Sequence, residues 1–315
     1  MKFYVFLLLL LSFEGYAQNK KCLLVLVDGI PRDVLKNTDT PNLDKISKNG
    51  GFGDAYVGGE KGGASESPTI SAVGYNSMLT GTWANKHNVW GNAIKAPNYS
   101  YPTIFKVTRE AKPNLNLGIF STWKDNRTKL LGEGLSETDH LKINFVFDGY
   151  ENDTVLFPHD KERLFIKNID DLVVKKASET ITLHGPDLSW VYLEYTDDMG
   201  HKFGDSPQMT DAVKHMDNQI GVLWSAIEKR EKEFDEDWLL IITTDHGRDE
   251  KTGRNHGGQS DRERATWIIT NKNKLNNRFN NGLAIVDIFP TVVNFLDLTV
   301  DKKVLSNLDG LPFID

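Results

Sequence analysis

The sequence predicts a layered α/β fold built on a mainly parallel sheet, and three observations carry that expectation. Strand-like apolar runs alternate with helical patterns along the chain, the order that places helices on both faces of parallel strands. The first run, CLLVLV at 22–27, is apolar at every position, as a strand covered on both faces must be. No repeat, low-complexity segment or Pro/Gly-rich linker interrupts the chain after residue 17, so one domain over 18–315 accounts for its length.

Taken in order, the N-terminal MKFYVFLLLLLSFEGYAQ has a lysine, an apolar run from Phe3 to Phe13 and a small residue at Ala17. That pattern predicts a signal peptide over 1–17, cleaved near Ala17, and hence a secreted or periplasmic protein. The run is too short for a stable membrane anchor. Further strands are expected at 117–122, 188–195, 239–244 and 266–270, and helices at 42–49, 103–111, 159–182, 209–232 and 286–297. SPTISAVGYNSMLTG at 67–81 reads as a buried helix opened by Pro68 and Thr69. The stretch 129–165 is the least regular and is a candidate cap. Hydrophobic residues make up 39% and charged residues 26%, enough apolar content for a sizeable core. The net charge of -7 argues against a nucleic-acid duplex as partner. The single cysteine, Cys22, permits no intrachain disulfide and reads as a packing residue.

Ligands of open α/β sheets gather beyond the carboxyl ends of the strands. There the chain places Asp28 in VDGIP, Asp197 and His201 in TDDMGH, and Asp245 and His246 in TTDHG, with His256 following in RNHGG. One such residue is an ordinary turn former or cap; the coincidence at three strand ends is not. The remaining histidines, His87, His140, His159, His184 and His215, lack that setting and read as structural. Mixed carboxylates and imidazoles suit zinc better than calcium or magnesium. Six such groups divide into two sites of three, and two cations about 3.5–4 Å apart suit phosphoryl displacement.

These motifs, with LTG at 79–81, NHGG, VDIFPTVVNFLDL and LDGLPF, resemble the alkaline phosphatase superfamily, and within it the type I phosphodiesterase/nucleotide pyrophosphatase branch. The resemblance implies a three-layer sandwich with helices on both faces of the sheet. It implies two Zn2+, with other divalent cations also admissible. One would be held by Asp197, His201 and His256, the other by Asp28, Asp245 and His246, with the Ser71 oxygen bridging toward the second. Asp198 is the alternative to Asp197. Family spacing back from Gly81 lands on Ser71 as nucleophile, where the branch commonly carries threonine; Thr69 is the alternative. Ser71 falls in the first helical turn, where free N–H groups and the dipole favour a negative oxygen. Asn92 takes the family position of an amide that donates to a phosphoryl oxygen.

The substrate expected is a small phosphate ester or nucleotide. Trp123 is placed to stack on a base, while Lys124 and Arg127 resemble a basic pair that contacts phosphate in some phosphomonoesterases of the superfamily. The rival readings are an alkaline phosphomonoesterase, a sulfatase and a silent metal-binding protein. Ala72–Tyr75 lack the proline and arginine of a sulfatase signature, and a full ligand set speaks against silence.

Overall fold

In a computed structural model, the protein is described over residues 18–315; the expected signal peptide lies outside the described residues. Seven strands form one sheet: β1 Asn19–Val27, β2 Gly51–Tyr56, β3 Leu117–Ser121, β4 Phe145–Phe147, β5 Leu188–Leu193, β6 Glu236–Thr243 and β7 Ala265–Thr270. Their order is β2-β7-β6-β1-β5-β3-β4. β1 lies between β5 and β6 and runs parallel to both. β3 is parallel to β5 and β4, and β7 and β2 join antiparallel at one edge.

β1 explains the layering. Cys22, Leu24 and Leu26 point into one buried cluster, and Leu23, Val25 and Val27 into another, the period-2 alternation of a strand covered twice. The first cluster includes Ala72, Tyr75, Met78 and Leu79 of the helix Ser71–Thr80, with Phe105 and Phe289 from the helices Ile104–Ala111 and Ile288–Phe295. The second takes Leu43 and Ile46 of Pro41–Asn49 and the long helices Leu164–His184 and Pro207–Glu233. Three layers result, with helices on both faces.

Several elements differ from the sequence-based expectation, and two strands and one helix among them bear on the sheet and the site. β2, GFGDAY, and β4, FVF, were not expected. In β2 the glycines admit the Phe279 ring, since a Cβ on Gly51 would stand 2.8 Å from it, and glycine and aspartate weaken any strand signal. β4 is three residues long. β5 stops at Leu193 instead of reaching Tyr195, because the buried Asp170 carboxylate accepts the N–H groups of Glu194 at 3.1 Å and Tyr195 at 2.9 Å. The chain then turns into the helix Tyr195–Phe203. Asp197 and His201 therefore sit one helical turn apart on one face. The irregular stretch 129–165 contains β4 and short helical turns, including Ser136–Thr138 and Tyr150–Asn152.

Candidate metal centre

Sheet register brings the strand ends level. Val27 pairs with Leu193 and Leu26 with Thr243, so Asp28, the Tyr195–Phe203 helix and Asp245 emerge side by side. Two groups of ligand atoms, each within 4.8 Å of one another, result: Asp197 with His201 and His256, and Asp28 with Asp197 and His246. Asp197 thus belongs to both, a sharing the sequence did not suggest. Its Oδ2 lies 3.2 Å from His201 Nε2 and its Oδ1 3.9 Å from His256 Nε2. Asp245 meets the second group through His246, whose Nε2 is 3.2 Å from Asp245 Oδ2 and 3.4 Å from Asp28 Oδ1. Asp198, the alternative ligand, is turned away into a paired contact with Arg163 at 2.8 Å to each oxygen.

The imidazoles are oriented by their second nitrogens. His246 Nδ1 donates to the Gly247 carbonyl at 2.9 Å, and His256 Nδ1 to the Thr69 carbonyl at 2.8 Å. A carbonyl only accepts, so the proton is on Nδ1 and the Nε2 lone pair faces the centre. Thr69 serves the same end with its side chain: its hydroxyl donates to Gly258 O at 3.0 Å and accepts from Gly257 N at 2.9 Å. That hydroxyl is committed to the His256 loop.

Asp28, Asp245 and His246 are almost wholly buried. Burial, then the charges of Asp245 and Asp197, push Asp28 well above the carboxylate range. Burial pushes Asp245 up to about 8. Burial would also raise Asp197, but the Arg248 guanidinium and His201 hold it well below the usual range. Burial, then the neighbouring His256, lowers His246. Asp28 Oδ1 and Asp245 Oδ2, both facing His246 Nε2, are buried without a hydrogen-bond partner. Orphaned carboxylate oxygens beside free imidazole nitrogens fit a divalent cation of zinc type.

Ser71 opens the Ser71–Thr80 helix, all of whose residues are buried, and its Oγ is 3.4 Å from His246 Nε2. The helix reaches the centre because Gly74 lies against the Asp245 backbone; a Cβ there would stand 2.7 Å from Asp245 O. Asn92 Oδ1 accepts from Ala72 N at 3.0 Å, which leaves its amide N–H groups for the adjoining pocket. That pocket, of about 270 Å³, is lined by Asp28, Ser71, Tyr75, Asn92, Trp123, Tyr192, Glu194 and Asp197.

Trp123 lines this pocket, but Lys124 and Arg127 do not. Arg127 Nε and Nη2 donate to Asp148 at 2.6 and 3.0 Å, and Nη1 to Glu133 at 2.6 Å. Its fork is spent on holding the 129–165 region. Lys124 offers its backbone N–H to Glu151 at 2.7 Å. Four residues near the centre escaped the sequence reading. Tyr75 and Tyr192 both donate to Asp28 Oδ2, Tyr192 at 2.7 Å; Glu194 lines the pocket, its carboxyl raised by burial and by Asp198, Asp170 and Asp197; and Arg248 contacts Asp197. Only Arg248 carries a signal, its place two residues after His246.

A family model described as type I phosphodiesterase / nucleotide pyrophosphatase matches residues 22–262. Among curated proteins, the chain is 25% identical over 247 residues to ectonucleotide pyrophosphatase/phosphodiesterase family member 7 of Rattus norvegicus, covering 73% of this chain and 50% of that protein. The human counterpart is 24% identical over 251 residues, covering 74% and 49%. The chain thus spans about half the length of the curated relatives it matches. Among solved structures, murine ectonucleotide pyrophosphatase/phosphodiesterase 5, an inactive variant in complex with AMP, superposes with a TM-score of 0.61 at 16% identity, over 92% of this chain and 99% of that one. The phosphonate monoester hydrolase of Agrobacterium radiobacter gives a TM-score of 0.63 at 13% identity, over 93% and 76%. These solved structures share the sandwich fold, and with the family model covering most of the described residues, the chain belongs to the type I phosphodiesterase/nucleotide pyrophosphatase family.

Proposed function

We propose that the chain is an exported, metal-dependent hydrolase of phosphate esters that prefers diesters, with 18–315 as one catalytic domain and Ser71 as its nucleophile. The observation that carries this reading is Ser71 Oγ at a helix start, 3.4 Å from His246 Nε2, in a pocket lined by no Lys or Arg among the described residues. A dianionic monoester needs such charges; a monoanionic diester does not. Trp123, Tyr75 and Tyr192 offer the second ester substituent an aromatic wall. The AMP complex of the murine relative supports a nucleotide as the substrate class.

Asp197, His201 and His256 would hold one cation and Asp28, Asp245 and His246 the other, with Asp197 near both. Zinc in these positions supplies charge stabilisation to the attacking and leaving oxygens. Ser71 Oγ attacks phosphorus in line; the bond to the leaving oxygen breaks, the hydroxyl proton departs with the leaving group, and a phosphoserine forms. Water then cleaves the phosphorus–Ser71 bond and returns the proton to the hydroxyl, so one difficult displacement becomes two. Asn92 Nδ2 donates to a phosphoryl oxygen, and the first turn of the Ser71 helix favours the negative charge there. Among the described residues, no helix is long and apolar enough to cross a bilayer.

The test compares zinc-loaded protein on bis-p-nitrophenyl phosphate and p-nitrophenyl phosphate. The diester rate is expected to exceed the monoester rate about tenfold or more. Ser71→Ala is expected to lose about 10³-fold or more in kcat with metal content unchanged. A faster monoester rate makes the protein a phosphomonoesterase, and no release from either makes it a binding protein.

A further inference from the structure

Arg248 is fully buried, and its guanidinium joins the segments that carry the ligands. Nε donates to Gly29 O at 3.0 Å, Nη1 to Arg254 O at 3.3 Å and Nη2 to Asp197 O at 2.7 Å. Nη2 also pairs with Asp197 Oδ1. The turn after β1, the helix after β5 and the segment leading to His256 are thus tied to one planar fork. Both walls of its slot are glycine. A Cβ on Gly29 would stand 2.7 Å from Nη2, and one on Gly200 2.1 Å from Cζ.

A guanidinium stays charged in proteins and has no lone pair to offer a metal. It sits on an oxygen of the carboxylate that belongs to both ligand groups. Three buried or nearly buried carboxylates, Asp28, Asp197 and Asp245, converge here. Like charges repel strongly in a medium of low dielectric. Arg248 offsets one of the three and leaves Asp197 Oδ2, 3.2 Å from His201 Nε2, as the oxygen free to ligate.

We infer that Arg248 is a positioning residue acting as a built-in cation: it keeps the carboxylates assembled when the centre is empty, and it competes with metal for Asp197, which makes the Asp197–His201–His256 position the weaker and more readily exchanged of the two. The inference rests on the two-cation reading above.

The test is calorimetric titration of chelator-stripped protein, residues 18–315, with Zn2+, alongside melting of the stripped protein. The parent chain is expected to bind two Zn2+ with affinities differing about tenfold or more. Arg248→Met is expected to melt several degrees lower when stripped and to tighten the weaker site about tenfold, so that the two sites converge. Arg248→Lys keeps the charge and keeps the gap. The inference is overturned if stripped Arg248→Met melts with the parent, or if its weaker site is unchanged or weakened. If Arg248→Met does not fold, loss of the gap in Arg248→Lys overturns it. A parent chain that binds fewer than two Zn2+ refutes the two-cation reading instead, and the melting comparison still decides whether Arg248 holds the empty centre together.

Discussion

Arg127 and Ser71 mark what single positions in the sequence can and cannot disclose. Ser71 stood out because helix start, hydroxyl and spacing agree at one residue, and the structure sets its Oγ 3.4 Å from His246 Nε2. Arg127 was misassigned because Asp148 and Glu133, its partners, lie 21 and 6 residues away in an irregular stretch. Arg127→Ala is expected to leave diester hydrolysis within about threefold while lowering stability by about 2–4 kcal/mol, since Asp148, 3% exposed at its side chain, loses its counter-charge. Urea unfolding and a rate measurement check both halves. His87 supplies a pH prediction away from the centre. It is buried, accepts Val89 N at Nδ1, and burial pushes it down to about 3. The unfolded chain takes up a proton below pH 6.5 that the folded chain resists, so the His87 contribution is full above that pH and is lost as pH falls toward 3. Between pH 7 and 5 the parent protein is expected to lose about 2 kcal/mol more than His87→Gln, read from urea midpoints at the two values.

At the level of elements, the strands that end at the centre were the readable ones, because a strand buried on both faces has a continuous apolar signature. Those at the edges were not, since β2 and β4 depend on neighbours such as Phe279 and β3 more than on their own composition. The turn from β5 into Tyr195–Phe203 was hidden for another reason. It is set by Asp170, a residue of a different helix, whose carboxylate takes two backbone N–H groups. The Ser71 helix gives the sharpest prediction here. Gly74→Ala places a methyl 2.7 Å from Asp245 O, and backbone on both sides cannot yield without moving Ser71 or Asp245. Diester kcat is expected to fall about tenfold to a hundredfold, while far-ultraviolet circular dichroism stays unchanged. Unchanged kinetics would show that the helix and the loop need not touch this closely.

Over the whole molecule, the layers were predictable from alternation alone, and so was the edge of the sheet where the ligands gather. Which carboxylate is shared was not, because that depends on where the Tyr195–Phe203 helix carries Asp197 relative to Asp28 and His246. The centre also contributes to the stability of the fold. Asp28 and Asp245 are forced together by the central strands, and a bound cation would offset their repulsion. Exhaustive chelation is expected to lower the melting temperature by about 5–10 °C, with recovery on adding Zn2+. Asp245→Asn is expected to shrink that difference, as a calorimetric scan of the four samples would reveal.

The ligands run from Asp28, just after β1, to His256, shortly before β7. During synthesis the earliest of them waits, unpaired, until nearly the entire chain has been made. A nascent or truncated polypeptide ending before Asp245 lacks Asp245, His246 and His256, so neither proposed trio is complete and a free ion would find nothing finished to load. Acquisition of an ion would thereby be deferred to the closing act of assembly.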